Sequence, residues 1–424
     1  MSDQRTQGEP PAARRRLALS ALLTSQVVST AGTRMSQVAV PWLVLQHTGS
    51  AFVTGLTTAA EIAPYVLLQL VGAPLVDRLG ARRVAVTGDL VAAAAMGAIW
   101  WSQVTQPSNV GVVLGLVFLA GLVRGPADAA AQVLLPAVAG MSGTTIDRAA
   151  GLVDGSSRLA QIIGALGGGT LVAWLGAGQV VLIDSLSFVG ALLLLMTIPV
   201  RTTPLRSGGE GDVQPYLRSL AEGLRYVRHS RLIRLVTGTL VFANLADAAM
   251  TGLLLLLWAA QSPSGTAGVG YLIGAFAGGA LVGALLQAGF GSSDKRRRTF
   301  AGALLLCGAP RFVALALPLP LPLIVVIWAV SGVGEGAINP ILAAAEFATI
   351  PRPLQARVLA ATRATAYAAI PLGPLVAAGI VQVFGFAPAL WVFAALYLAV
   401  SVTPFFLKGW NLLDLGDDRA SRRS

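Results

Sequence analysis

The chain is written as long apolar runs separated by short polar breaks. Six runs occupy residues 17–46, 51–76, 84–102, 110–137, 149–174 and 179–198, and six more occupy 232–260, 269–289, 300–317, 321–348, 358–383 and 388–407. A bilayer's hydrocarbon core is about 30 Å thick and an α-helix rises about 1.5 Å per residue, so roughly 20 apolar residues span it once. Spanning strands would instead be runs of about ten residues alternating in polarity, and none of the runs alternates that way. The pattern predicts an all-α integral membrane protein with twelve transmembrane helices.

Composition agrees, at 55% hydrophobic and 12% charged residues with a mean hydropathy of +0.73, values foreign to a soluble domain. Charge then sets the orientation. All but five of the 30 basic residues lie in alternate connections (78–83, 148, 201–234, 295–298 and 352–357) or in the two tails. The intervening loops, around His47, Gln106, Ala177, Ser262, Leu319 and Phe384, carry none. Lys and Arg stay on the cytoplasmic side of short loops, so both termini are expected in the cytoplasm of a bacterial cell, on the inner face of its cell membrane. The net charge of +11 then calls for anionic lipid headgroups as neighbours and for no nucleic acid. Arg14, Arg15 and Arg16 lead into a run too long for a signal-peptide core, so segment 1 is expected to remain in the membrane.

Metal and redox chemistry find no foothold. The single cysteine, Cys307, lies inside segment 9, and the two histidines, His47 and His229, lie at a helix end and in a cytoplasmic stretch. Neither a disulfide framework nor a metal cluster is expected, and no cofactor. No G-x-x-x-x-G-K-S/T loop exists for ATP.

The polar stretch RTTPLRSGGEGDVQP divides six runs from six, which is the composition of a flexible linker. Beyond it, PYLRSLAEGLRYVRHSRLIRL sets apolar residues among arginines, as in a helix lying on the inner membrane surface. The predicted organisation is a tail (1–16), a six-helix bundle (17–198), a cytoplasmic linker with an amphipathic helix (199–231), a second bundle (232–407) and a tail (408–424).

The two halves repeat. AGTRMSQVAVPWLVLQ, starting at Ala31, aligns without a gap to ADAAMTGLLLLLWAAQ, starting at Ala246. AGLVRGPADA aligns to SGVGEGAINP, placing Arg124 opposite Glu335 and Asp128 opposite Asn339. Internal repeats of this kind mark transporters whose two halves move about a central site.

Between segments 2 and 3 lies a charged island, GAPLVDRLGARR, Gly72 to Arg83. Asp77, Arg78, Gly80, Arg82 and Arg83 resemble the signature loop of the major facilitator superfamily. Longer stretches, VAVPWLVLQHTGS, LIDSLSF, LAEGLRYVRHSRL and QVLLPAV, are similar to its bacterial branch of siderophore exporters and macrolide efflux proteins. Gly80 permits a tight turn. Asp77 is placed to accept hydrogen bonds at a helix start and to pair with arginine, contacts that would favour the outward-open state. The Gly164/Gly168, Gly274/Gly278 and Gly279/Gly283 pairs have small-xxx-small spacing and predict packing seams between the moving halves.

Charges embedded in the runs cost roughly 3 kcal/mol each at mid-membrane and point to partners or a wet cavity. Matching depth suggests two ion pairs, Arg34 with Glu61 and Asp128 with Arg158. The resemblance implies a cavity lined by helices 1, 4, 7 and 10, which singles out Arg34, Arg124, Asp128, Asp247 and Glu335, with Trp42, Asn244 and Asn339 beside them. Asp247, for which no arginine is found at matching depth on segment 8, is the first candidate for carrying a coupling proton, with Glu335 and Asp128 as rivals; the alternative is that Asp247 bonds within a helix seam or pairs with Arg311 across the second half. What the resemblance implies is a monomeric, proton-coupled exporter of a small amphiphilic molecule such as an antibiotic or siderophore. The alternatives are an importer or uniporter of the same fold, or a sensor or scaffold that does not transport.

Overall fold

The computed structural model describes residues 12–105, 109–198, 213–290 and 296–413, and every element among them is helical. The first half holds α1 (Ala12–Thr48), α2 (Ala51–Val71), a short α3 (Ala73–Leu79), α4 (Ala81–Thr105), α5 (Val110–Ser142), α6 (Ile146–Leu175) and α7 (Ala177–Thr197). The second holds α8 (Val213–His229), α9 (Arg231–Ala249), α10 (Leu255–Gln261), α11 (Gly265–Phe290), α12 (Arg296–Cys307), α13 (Ala309–Ala316), α14 (Leu321–Thr349), α15 (Gln355–Ala368), α16 (Leu372–Phe384) and α17 (Phe386–Phe406). A π-helical turn, Met250–Leu254, joins α9 to α10. Counting α9–α10, α12–α13 and α15–α16 each as one passage, twelve membrane crossings result, as the hydropathy predicts.

Eleven of these crossings are long and apolar enough to span by composition alone. The twelfth, α1, has 37 residues but is diluted by Ser25, Gln26, Ser29, Thr30, Thr33, Arg34 and Gln37, which all face an internal cavity. Outward-facing positions carry Trp174, Val383, Phe384 and Phe406, each at least 66% exposed. So broad an apolar surface belongs in lipid.

Local chemistry sets the breaks. Ser50, Asn109, Thr145 and Ser230 cap α2, α5, α6 and α9 by accepting the backbone N–H three residues on, which satisfies donors a helix start leaves free. Segment 2 ends earlier than its hydropathy suggests, because Pro74 lacks the N–H needed to continue and α3 begins afresh there. Gly80, at φ +86°, turns α3 into α4. Just beyond it Arg82 donates to the Met196 carbonyl at 2.8 Å, tying α4 to the end of α7, while Arg78 and Arg83 are exposed. The Asp77 side chain, the polar stretch 199–212 and the tails 1–11 and 414–424 lie outside the described residues.

The amphipathic stretch forms α8, separate from α9 at Ser230, and it docks on the second bundle. Glu222 pairs with Arg357, the Tyr226 hydroxyl donates to the Thr349 carbonyl at 3.4 Å, and Gly223 lies against the Arg357 backbone.

The two sets of crossings meet near the end marked by Ser50, Gln261 and Gly265. There α2 packs on α16 and the π turn, and α6 packs on α11. Thr58 donates to the Gly252 carbonyl at 3.0 Å. A Cβ on Gly169 of α6 would lie 2.2 Å from the Thr266 carbonyl oxygen and 2.4 Å from the Gly270 nitrogen of α11. Trp42 of α1 packs against core residues of both bundles.

The glycine seams divide differently from the expectation. Gly279 and Gly283 face Gly332 and Gly336 along α11 and α14, within one bundle, and Gly164 and Gly168 face Ala31 and Met35 of α1, within the other. Only Gly274, which meets Leu166, belongs to the seam between bundles, together with Gly169 and Gly270. The first two seams lie inside a bundle, so overpacking there strains the bundle itself, whereas overpacking at Gly169 acts on the contact between bundles. Gly169→Leu should therefore part the two bundles at this end, because the overpacking penalty of about 1–3 kcal/mol falls on their contact. Labelling of a Thr58→Cys reporter by an impermeant maleimide should accelerate about tenfold or more. Gly332→Leu should instead lower the thermal midpoint and leave labelling of the folded fraction unchanged.

Candidate transport cavity

A cavity of ≈ 520 Å³ lies within the first bundle. Its polar wall comes from α1 (Arg34, Gln37), α2 (Glu61, Tyr65), α4 (Asp89), α5 (Arg124, Asp128), α6 (Gln161) and α7 (Asp184). Tyr367 and Ile370 are the residues of the second bundle that reach it among the described residues. Helical spacing produces the wall: on α1 the polar positions 26, 30, 33, 34 and 37 recur on one face at the three- and four-residue interval.

The charges form two knots. The Arg124 guanidinium donates to Ser29 Oγ at 3.2 Å and to Asp128 Oδ1 at 3.4 Å, and stacks 4.5 Å above the Phe188 ring centroid. Asp128 accepts a second bond, from the Tyr65 hydroxyl at 3.1 Å, and Gln69 supports that hydroxyl at 3.4 Å. Arg34 donates to Gln37 Oε1 at 2.9 Å and to Gln161 Oε1 at 3.4 Å. Asp184, 1% exposed, accepts from Ser187 Oγ at 3.2 Å.

Neither expected ion pair is formed. Arg34 and Glu61 share the cavity, but the guanidinium is held by two amides, so equal depth did not bring contact. Asp128 pairs with Arg124 one turn back on its own helix. Arg158 pairs with Asp154 at 2.9 Å, both two-thirds exposed, where α6 emerges from the membrane core. Intrahelical partners four residues apart won over partners on a neighbouring helix.

The second bundle keeps its charges away from this cavity. Asp247 has a partner after all: Arg311 Nη2 lies 2.5 Å from its Oδ1, reaching across from α13. Arg311 is 1% exposed, donates from Nε to the Cys307 carbonyl at 2.7 Å, and lies 4.4 Å from the ring centroid of Phe276 and 5.8 Å from that of Trp328. Glu335 accepts from the Cys307 thiol at 3.1 Å. Asn244 donates to the Ala366 carbonyl at 3.1 Å, bracing α9 on α15, and Asn339 is exposed on α14. Trp42, Asn244, Asn339, Asp247 and Glu335 therefore do not line the described cavity. Of the four helices implied as its lining, α1 and α5 contribute, and α2, α4, α6 and α7 take the place of the other two.

Sequence reasoning missed Asp89, Tyr65, Gln37 and Gln161. Asp89 had a signal, an acid six residues inside an apolar run, whereas Tyr65 and the glutamines are common at helix surfaces and gave none.

A family model described as transmembrane secretion effector, within the major facilitator superfamily, matches residues 11–416. The chain belongs to that family. It is 29% identical over 407 residues to the multidrug efflux pump Tap of Mycolicibacterium fortuitum, covering 93% of this chain and 96% of the relative. To Tap of Mycobacterium tuberculosis it is 30% identical over 374 residues, covering 86% and 87%. A variant of the nucleoside transporter NupG has the same fold, with a TM-score of 0.74 at 13% identity over 92% of this chain and 99% of that one. The family is one of multi-pass membrane transporters, not enzymes.

The Asp247–Arg311 contact generates a direct test. Arg311→Met leaves the partly exposed Asp247 carboxylate without its partner and should cost about 1–3 kcal/mol, whereas adding Asp247→Asn should recover more than half of that loss. Thermal unfolding of the three detergent-purified variants measures both quantities. A double variant as unstable as the sum of the singles would show that the pair contributes nothing.

Proposed function

We propose that this transporter is a proton-driven exporter of small amphiphilic molecules, antibiotics, siderophores or related metabolites, from the cytoplasm of a bacterial cell. It works as a monomer in the inner membrane, with both termini cytoplasmic and lipid headgroups around its basic loops. The observation that carries the reading is the cavity itself, a ≈ 520 Å³ space with carboxylates, arginines and an aromatic ring on one wall. That volume suits a drug-sized molecule. The names of the Tap relatives, which are efflux pumps, support the outward direction.

In this mechanism the bundles rock about the cargo. Contact between them at the Ser50 and Gly265 end closes the outer side, and loss of that contact together with closure at the opposite end exposes the cavity outward. Arg82, and Asp77 in the same loop, belong to the surface that closes in the second state.

The coupling proton is carried by Asp128. Of the three acids suggested by the sequence it is the one that lines the cavity, where it meets both water and cargo. Its two partners, Arg124 and Tyr65, come from α5 and α2, so protonation loosens a link between helices. Asp247 is committed to Arg311, and Glu335 to the Cys307 thiol. One proton crossing 100 mV supplies about 2.3 kcal/mol and each pH unit about 1.4 kcal/mol. Together they concentrate a cargo on the order of a few hundredfold at one-to-one coupling.

Asp128→Asn keeps the shape and removes the titrating group. In reconstituted vesicles this variant should still exchange cargo down a gradient but lose the acceleration that an imposed pH gradient gives the wild type. Wild-type acceleration in the variant would move the coupling site to Glu335 or Asp247.

A further inference from the structure

The cavity's charges do not balance. Glu61, Asp89, Asp128 and Asp184 face Arg34 and Arg124. Both arginines are engaged, Arg34 by Gln37 and Gln161, Arg124 by Ser29 and Asp128, with its face on Phe188. Asp184 has Ser187. That leaves Glu61 and Asp89, which have neither a hydrogen bond nor an ion pair among the described residues. The field of Arg124 reaches both, but its donors point elsewhere.

Asp89 is the sharper observation. It is 9% exposed, sits in the middle of apolar neighbours on α4, and what surface it has opens into the cavity. A buried carboxylate without a partner is costly, and a retained one calls for something that visits the site. The helices that carry the acids also bring apolar side chains to the cavity, Ile62 and Val66 on α2, Met96 on α4 and Phe188 on α7.

We propose that Glu61 and Asp89 give this cavity its cation recognition, so that the exported molecules are cationic amphiphiles whose charge is met by these unpartnered carboxylates and whose apolar body lies against Ile62, Val66, Met96 and Phe188. This rests on the export reading above and narrows it. An anionic cargo would meet four carboxylates against two guanidiniums, of which only Arg34, held by two neutral amides, lacks a counter-charge among the described residues, and a neutral one would leave Glu61 and Asp89 uncompensated.

The test uses two probes of similar shape, tetraphenylphosphonium, a permanent cation, and triphenylphosphine oxide, which is neutral. Binding to the purified full chain is measured for the wild type, Glu61→Gln, Asp89→Asn, the double variant and Asp154→Asn, whose exposed carboxylate lies outside the cavity. The wild type and Asp154→Asn should bind the cation alike. Each cavity variant should weaken it about tenfold or more, as expected for loss of a charge partner in a partly desolvated site. Affinity for the neutral probe should change by less than about twofold, which also shows that the variants are folded.

Failure of the wild type to bind the cation overturns the proposal, as does unchanged cation binding in the double variant or an equal loss of both probes. Transport by vesicles separates this from the export reading. If the double variant still binds and expels tetraphenylphosphonium, only the subsite is wrong, whereas wild-type vesicles that move neither probe remove the export reading as well.

Discussion

A charge inside hydrocarbon must have a partner of opposite sign or a wet surface, and the interior of this protein is arranged around that requirement. The two halves answer it differently. In the second, Arg311 is enclosed by Asp247, the Cys307 carbonyl and two aromatic rings, and only the Asp247 end of the cluster, 32% exposed, is open. In the first, Arg34 and Arg124 line a cavity with more carboxylates than they can neutralise. Two halves that repeat in sequence thus treat their charges differently, one packing them among aromatic rings and the other placing them on a cavity.

The physical reason for the division lies in which side chains fill the space beside the charge. Phe276 and Trp328 lie beside Arg311 and meet edge to face, with ring centroids 6.3 Å apart, and Arg311 itself is 1% exposed. Around Arg124 only Phe188 plays that part, and the opposite positions carry Gly121 and Gly125, whose backbones press against Glu61 and Tyr65 of α2. Close approach of α2 to α5 brings Glu61 and Tyr65 to the same wall as Arg124 and Asp128. Packing by glycine thereby sets the chemistry of the cavity.

Motion is confined by the same economy of contact. Within each bundle, helices meet backbone to backbone, through Gly279 and Gly283 with Gly332 and Gly336 in one and Gly164 and Gly168 with α1 in the other. Between the bundles the contact is narrower and concentrated near one end, at Gly55 against Pro374, Thr58 against Gly252, and Gly169 against Gly270. That arrangement suits the rocking proposed for the two halves, and the π turn Met250–Leu254 lies at the interface between them, where an irregular helix can adjust.

The sequence by itself determined the twelve crossings, the repeat and the family resemblance, because hydropathy over about 20 residues and loop motifs are one-dimensional signals that need no partner to be read. It also identified which charges lie within the crossings, including Arg34, Glu61, Arg124, Asp128 and Asp247. What it left open was who meets whom. Depth along a helix says nothing of rotation about its axis, so Arg34 turned to Gln37 and Gln161 and not to Glu61, and Asp247 found Arg311 on a helix that is not its neighbour in sequence. Tertiary structure alone placed Asp89 and Tyr65 in the cavity and Asn339 outside it. The face a helix turns inward is decided by the side chains of the helices around it, and that information is spread over the whole chain.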